Sequence, residues 1–133
     1  HMALDKGAKE VVTGSFPNLS AVCDHLLKKN EKVILACAAW KDRVNIEDTL
    51  FAGAVIERLK KHFKLSGDSS QIANTLYKSA KKDLFAFMKK HEASHYHRLM
   101  GFGLEKDIRY CLTDDGANVL PLYADGKLVS TSV

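Results

Sequence analysis

The sequence predicts an α/β domain. Its first half alternates apolar extended runs with amphipathic helical stripes in the order strand, helix, strand, helix, which is typical of an α/β unit. The run at residues 32–40 is continuously apolar, and such runs suit strands that are covered on both faces of a parallel sheet. The chain has 133 residues, of which 46% are hydrophobic and 27% are charged, so it can bury one core.

The first half is interpreted as two strand–helix units joined by polar loops. A short strand at residues 9–15 ends at Gly14, a turn follows, and a helix spans 19–29. The second strand, at 32–40, is followed by a polar loop and by a helix over 46–63. In both helices the apolar residues recur at helical spacing and so form one buried face.

The second half is predicted to be mainly helical. Amphipathic spacing and turn residues predict helices over 70–90, 96–100 and 104–112 and a final hairpin that pairs 119–123 with 127–130. Two strands before this hairpin make a thin sheet, because typical sheets have about five strands. We therefore expect further strands from an absent N-terminal part or from a partner chain, which leaves a homo-oligomer open.

Composition and charge exclude several classes of partner. The net charge is +4 and the pI about 8.9, but the lysine pairs fall on predicted helices, where a solvated face is the usual explanation. No nucleic-acid-binding motif accompanies the charge, and no segment approaches the roughly 20 apolar residues of a membrane span. Three cysteines in apolar settings argue against a disulfide framework and predict a reducing, cytoplasmic compartment.

The first two residues are excluded from the predicted domain. His1 and Met2 resemble the remnant of a cleaved tag. The domain is therefore assigned to residues 3–133, and we expect the natural protein to be longer.

The first candidate site lies between Cys37 and Asp48. Ligands of open α/β sheets bind at the carboxyl ends of strands, and Cys37 lies near such an end, with Glu47 and Asp48 in the first turn of the next helix. Two adjacent carboxylates could hold Mg²⁺ together with water and a substrate phosphate. The alternative is structural, because acidic residues in a first turn complement the helix dipole and Asn45 resembles an N-cap.

The second candidate site is the turn from Gly14 to Asn18. A Gly-Ser turn before a helix offers backbone N–H groups to an anion, while Ser15 adds a hydroxyl and Asn18 an amide. The alternative is a plain turn with an N-cap. In a parallel sheet this turn and the Cys37 loop would share one edge, which favours both as parts of one site.

Two further motifs lie between the last helices. His91-Glu92-Ala93-Ser94-His95 matches the H-E-x-x-H motif of zinc proteases. Its context is that of a frayed helix end, and Arg98 stands where the extended motif needs glycine, so zinc hydrolysis is not favoured and metal binding by the two histidines is left open. Arg98 could instead clamp a phosphate or sulfonate, or lie on the surface paired with an acid.

Three stretches together resemble the 2-phosphosulfolactate phosphatase family of coenzyme M biosynthesis. They are Gly14-Ser15-Phe16-Pro17-Asn18-Leu19, Val33-Ile34-Leu35-Ala36-Cys37-Ala38 and Glu47-Asp48-Thr49-Leu50-Phe51-Ala52-Gly53-Ala54. The later run from Arg98 to Ile108, with Cys111, also resembles the tail of that family in order and spacing. The resemblance reaches about the C-terminal half of a typical member.

The resemblance implies a three-layer α/β/α sandwich that lacks its N-terminal strands here. It also implies a Mg²⁺-dependent phosphatase whose substrate is a small anionic phosphate ester, 2-phosphosulfolactate, and whose product is sulfolactate. On this resemblance Cys37, Glu47 and Asp48 are metal or acid–base groups, and Ser15, Asn18 and Arg98 lie on the substrate side. The nucleophile is left open between Cys37 and activated water. The alternative function is a non-catalytic binding or structural module of the same fold.

Overall fold

A computed structural model describes residues 2–131 of the chain. His1, half of the predicted tag remnant, lies outside the described residues, as do Ser132 and Val133 at the end of the assigned domain. The described elements are α1 (Met2–Asp5), a 3-10 turn (Phe16–Asn18), α2 (Leu19–Lys29), α3 (Ile46–Leu59), α4 (Asp68–Ala80), α5 (Leu84–Lys90), α6 (Ser94–Gly101), α7 (Glu105–Cys111), β1 (Leu120–Ala124) and β2 (Lys127–Thr131). The chain is thus a mixed helical and sheet structure, which is compatible with the predicted α/β class.

Helix α3 is the centre of the core. Its Leu50 and Val55 are 0% and 1% exposed, and they share one apolar cluster with Leu19 of α2. The helix begins where predicted, because Asn45 caps it by accepting the backbone N–H of Asp48 at 3.0 Å. It ends at Leu59, four residues before the predicted end.

Helices α3 and α4 lie unusually close together at Gly53. A Cβ placed on Gly53 would lie 2.1 Å from the carbonyl oxygen of Ala73, so only glycine permits this approach. Asn74 of α4 adds a hydrogen bond of 2.8 Å to Glu57 of α3. The packing of these two helices therefore depends on the Ala-Gly pair at positions 52 and 53.

The predicted helix over 70–90 is two helices. Helix α4 ends at Ala80, and Asp83 begins α5 by accepting the backbone N–H of Ala86 at 2.8 Å. An aspartate at this position offers a cap that competes with helix continuation, which explains the break. No helix of the described chain is both long and apolar enough to span a membrane.

The predicted C-terminal hairpin is confirmed. Strands β1 and β2 pair antiparallel, with Leu120 opposite Thr131 and Ala124 opposite Lys127. Asp125 and Gly126 form the turn with φ of 49° and 81°, as a two-residue hairpin turn requires. The pairing is regular over the five residues of each strand.

The predicted first strand, 9–15, is extended but is not a regular strand. It lies beside β1, where Val12 bridges Leu122 and the backbone N–H of Thr13 donates to Pro121 at 3.0 Å. Tyr123 donates its N–H to Val11 at 2.9 Å. The segment therefore extends the hairpin sheet by a single bridge rather than starting a parallel sheet.

The predicted buried strand at 32–40 is also not formed. No regular structure or pairing is assigned to the segment, and Ile34 is 80% exposed. A strand needs a hydrogen-bonded neighbour, and none of the described residues supplies one along 32–38. The predicted strand covered on both faces is therefore absent from the described residues.

Candidate functional site

The end of the 32–40 segment meets the starts of α3 and α6. Five side chains converge there and are called the Glu47 cluster: Trp40, Glu47, Asp48, His95 and Arg98. The loop that carries Trp40 is tightly folded, since Trp40 and Arg43 exchange two backbone hydrogen bonds of 3.1 Å. Ala39 and Lys41 in this loop have φ of 62° and 52°, a conformation that few non-glycine residues adopt.

Asp48 ties this loop to helix α3. Its Oδ2 accepts the backbone N–H of Ala39 at 2.9 Å, while its own N–H donates to the Asn45 side chain. The predicted N-cap by Asn45 is therefore present, and the Asp48 carboxylate does more than complement the helix dipole. It fixes the backbone at the end of the 32–40 segment.

Glu47 pairs with His95, which lies 48 residues away in the sequence. Glu47 Oε1 contacts His95 Nδ1, and the two side chains are 26% and 16% exposed. Glu47 Oε2 and His95 Nε2 are both buried and have no hydrogen-bond partner among the described residues. Buried polar atoms are rarely left unpaired, so this pair presents two unsatisfied atoms to whatever completes the site.

The environment of His95 favours the neutral imidazole. Burial lowers the pKa of His95, and the positive charge of Arg98 lowers it further. A neutral imidazole that donates from Nδ1 to a carboxylate keeps Nε2 as an acceptor. The Glu47–His95 pair can therefore hold or accept a proton at Nε2.

Trp40 forms a wall of the cluster. Its ring meets the His95 ring edge-on at a centroid distance of 5.4 Å, and the Arg98 guanidinium carbon lies 4.8 Å from the centre of the Trp40 ring. Stacking on an aromatic face positions a cation without neutralising it. Arg98, predicted as a phosphate clamp, thus lies against Trp40, close enough to His95 for its charge to act on that residue, and it is exposed.

Cys37 lies near the cluster but is not activated. Partial burial raises the pKa of the Cys37 thiol, and the negative charge of Asp48 raises it further. A nucleophilic cysteine needs the opposite shift, because the thiolate is the reactive form. Of the two candidate nucleophiles, Cys37 and an activated water molecule, the described residues therefore give no support to Cys37.

Ser15 and Asn18 form a separate group. Asn18 is 4% exposed; its Oδ1 accepts the Ser15 backbone N–H at 2.8 Å and the Ser15 hydroxyl at 3.2 Å. Its Nδ2 donates to the carbonyls of Thr13 and Val119 at 3.2 and 3.0 Å. Within residues 2–131, no hydrogen bond, ion pair or ring contact links this group to the Glu47 cluster.

The residues of the cluster suit a metal only in part. No group of three or more His, Cys, Asp or Glu side chains in the described chain could hold a metal ion. Glu47 and Asp48 each use one carboxylate oxygen internally, and Glu47 Oε2 is a buried oxygen without a partner. Since Mg²⁺ is commonly bound by one or two carboxylates plus water and phosphate, these two side chains fit a partial Mg²⁺ site.

His95 and Trp40 are members of the Glu47 cluster that the sequence did not predict. His95 was considered only as a zinc ligand beside His91, but α5 ends at Lys90, Glu92 has a φ of 48°, and α6 begins at Ser94. The H-E-x-x-H motif therefore does not form one helical face. No local signal links His95 to Glu47, because helices distant in the sequence bring them together.

Comparison with known proteins finds a matching family and several relatives. A family model described as 2-phosphosulpholactate phosphatase matches residues 2–126. A protein of Thermotoga petrophila, named probable 2-phosphosulfolactate phosphatase, is 37% identical over 122 residues, which are 92% of this chain and 52% of that protein. Proteins of the same name from Caldanaerobacter subterraneus and Synechocystis are 35% and 32% identical, and the matches cover 94% and 87% of this chain.

The chain spans about half the length of these relatives. The match covers 51% of the Caldanaerobacter protein and 49% of the Synechocystis protein. The resemblance on which the sequence analysis relied is thereby confirmed, including its partial extent.

Proposed function

Because the chain belongs to the 2-phosphosulfolactate phosphatase family, we propose that it forms one wall of a phosphatase active site. The proposed reaction is hydrolysis of the phosphate ester of 2-phosphosulfolactate to sulfolactate and phosphate, a step that belongs to coenzyme M biosynthesis in the cytoplasm. The observation that carries the proposal is the convergence of Glu47, Asp48, His95 and Arg98 at the end of the 32–40 segment.

We assign distinct tasks to the residues of the cluster. Glu47 and Asp48 would hold Mg²⁺. A bound Mg²⁺ would neutralise phosphate charge and make the water that it binds more acidic. His95 holds the Glu47 carboxylate in one orientation through Nδ1. Arg98 supplies fixed positive charge and bidentate donors for a phosphate or sulfonate, and Trp40 shields the cluster from water.

The three-layer sandwich belongs to the same proposal. The described residues contain helices and a small hairpin sheet, while the relatives are about twice as long. We propose that the remaining part of the family fold adds the strands and the second helical layer. A homo-oligomer is an alternative source of those strands.

A non-catalytic module of the same fold is the second candidate function. Two observations favour it: the hydrogen-bonding groups of Asn18 are used internally, and the pKa of Cys37 is raised. In this alternative, the Glu47 cluster stabilises the packing of α6 against α3 and has no catalytic role. Activity measurements on variants of the cluster distinguish the two functions.

The test uses a chimera in which this chain replaces its matching region in the Thermotoga petrophila relative. We expect Mg²⁺-dependent phosphate release from 2-phosphosulfolactate, and we expect Asp48→Asn to lower kcat/KM about 100-fold, or roughly 2.7 kcal/mol. Asparagine can still accept the Ala39 N–H, so the fold should persist. Asp68→Asn is the matched control, since Asp68 also lies in the first turn of a helix, α4, and should leave kcat/KM unchanged. An Asp48→Asn chimera with full activity would remove Asp48 from the site.

A further inference from the structure

The chain at residues 32–38, here called the open segment, has an unpaired backbone among the described residues. None of its backbone N–H or C=O groups makes a hydrogen bond to another described residue. The nearest bonds involve Asn30 before it and Ala39 after it. An unpaired row of such groups is a template for another strand, and backbone groups in native proteins are nearly always paired.

Only one face of the open segment is covered. Leu35 packs against both apolar clusters of the core, and Val33 is half-buried. On the opposite face Ile34 is 80% exposed, and Ala36 and Ala38 are exposed as well. Since strand side chains alternate between faces, the two rows belong to two sides of one strand, of which the outer one lacks a covering layer.

The sequence of the open segment is that of an internal strand rather than of a protected edge. It begins with Lys32, and from Val33 to Ala38 it contains no charged residue, glycine or proline. Natural edge strands usually carry such residues to prevent pairing with other chains. Continuous apolarity on both faces is instead typical of strands inside a covered, parallel sheet.

We propose that the open segment is a strand-addition surface, and that its occupant is the portion of the family fold that this chain does not span. This occupant would pair along residues 32–38 and cover Ile34. The length of the relatives supports it, because about half of each lies outside the match. A second copy of the chain fits less well, since edge-to-edge pairing would fill an edge without adding the layer that Ile34 lacks.

The proposal deepens the proposed function and rests on it for the identity of the partner. The open segment leads directly into Ala39, whose N–H is held by Asp48, and into Trp40. Pairing along 32–38 would therefore fix the backbone that carries the wall of the Glu47 cluster. Binding and hydrolysis are nevertheless separate measurements. A complex that forms without releasing phosphate would contradict the proposed phosphatase activity but support the strand-addition surface.

The test co-expresses this chain with the portion of the Thermotoga petrophila relative that lies outside the matched region. We expect a 1:1 complex by light scattering, in which the amides of residues 33–38 exchange with deuterium at least about tenfold more slowly than in the chain alone. Ala36→Pro removes an N–H that has no partner in this chain, so it should leave the chain folded and abolish that protection. Ile34→Lys should weaken the complex about 50-fold, because it places a charge under the covering layer.

Ile72→Lys is the matched control for Ile34→Lys. Ile72 is 63% exposed and lies on α4, and its replacement should leave the complex intact. Three results would overturn the proposal: no complex with either the original chain or Ile72→Lys, a complex in which residues 33–38 remain unprotected, or a homodimer of the chain alone that protects these amides.

Discussion

Asn18 shows how a residue predicted to contact substrate is used by the fold. It joins the Ser15 turn, the carbonyl of Thr13 and the carbonyl of Val119 through one buried amide. Thr13 and Val119 lie on separate segments of the chain that meet only in the folded state. The assignment of Ser15 and Asn18 to the substrate remains a prediction, and its first measurable consequence is on stability.

Asn18→Ala is expected to lower the free energy of unfolding by about 2–4 kcal/mol, because it leaves several buried groups unpaired at roughly 1–3 kcal/mol each. Urea denaturation of the chain measures this change. Asn118→Ala is the control, since Asn118 is exposed and its loss should change stability by less than about 0.5 kcal/mol. Equal effects of the two substitutions would contradict the structural role of Asn18.

Individual residues were predictable where the signal is local. Asn45 and Asp48 lie three residues apart, and the expected cap is present. The Glu47–His95 pair was not predictable, because nothing near either residue reports a contact across 48 positions. Position in the sequence identified the carboxylates, whereas only the packing of α6 against the start of α3 identifies the histidine.

At the scale of helices, the Ala-Gly pair in α3 has a packing explanation. This pair belongs to the stretch that most resembles the phosphatase family, and Gly53 faces the backbone of α4 rather than the Glu47 cluster. A family motif can therefore combine residues of different kinds. In this one, Glu47 and Asp48 belong to the Glu47 cluster, and Gly53 allows the helix that carries them to approach its neighbour.

Gly53→Ala is expected to destabilise the chain by about 1–3 kcal/mol through overpacking, although alanine is the better helix former by roughly 1 kcal/mol. Gly101→Ala is the matched control, because Gly101 is also a helical glycine, the last residue of α6. A Cβ at this position would meet nothing within 4 Å. That control should be neutral or slightly stabilising. Urea denaturation of both variants checks the contrast, and a stable Gly53→Ala chain would show that α3 and α4 can separate without cost.

Asp115 links the loop before the hairpin to the start of α2. Its carboxylate accepts the backbone N–H and the hydroxyl of Ser20, both at 2.7 Å, and Arg58 of α3 joins the group. Partial burial raises the pKa of Asp115, but the hydrogen bonds from Ser20 and the charge of Arg58 together hold it below its usual 3.8. This carboxylate acts as an N-cap supplied from a distant part of the chain.

The lowered pKa of Asp115 makes this link sensitive to acid. The unfolded chain binds the proton more readily, so the stabilisation is complete above pH 3.8 and is lost as the pH falls through the lowered pKa. At pH 7, Asp115→Asn should cost about 1 kcal/mol, and the difference from the original chain should shrink as the pH falls below 3.8. Asp125→Asn is the control, since Asp115 and Asp125 both have positive φ, of 60° and 49°. Urea denaturation between pH 7 and pH 3 measures both; a constant difference would contradict the pH dependence.

The strands were less predictable than the helices for a physical reason. A helix satisfies its backbone within itself, so α2, α3 and the short C-terminal helices form close to their predicted positions. A strand depends on its neighbour. The hairpin carries its neighbour across a two-residue turn and forms as predicted, whereas residues 32–38 have the composition of a strand without a partner in the described chain.

At the scale of the whole molecule, the proposed function gives one explanation for the unpaired backbone of the open segment and for the unpartnered atoms of the Glu47 cluster. The open segment ends at the Glu47 cluster, which leaves Glu47 Oε2 and His95 Nε2 buried without partners. The chain also spans about half the length of its relatives. If the portion of the family fold outside the match supplies both strand partners and site residues, as proposed, the helical core can fold around α3 while catalysis depends on both portions.

The chain alone is therefore expected to hydrolyse 2-phosphosulfolactate at least about 100-fold more slowly than the Thermotoga petrophila relative, a deficit of roughly 2.7 kcal/mol or more in transition-state stabilisation. With no group of three metal-binding side chains in the described residues, it should also bind Mg²⁺ weakly, so that 10 mM Mg²⁺ adds less than about 1 kcal/mol to the free energy of unfolding. Phosphate release and urea denaturation with and without Mg²⁺ measure the two quantities. Ca²⁺ at the same concentration is the control for non-specific screening of charge. A chain that matched the relative in kcat/KM would show that Glu47, Asp48, His95 and Arg98 form a complete active site.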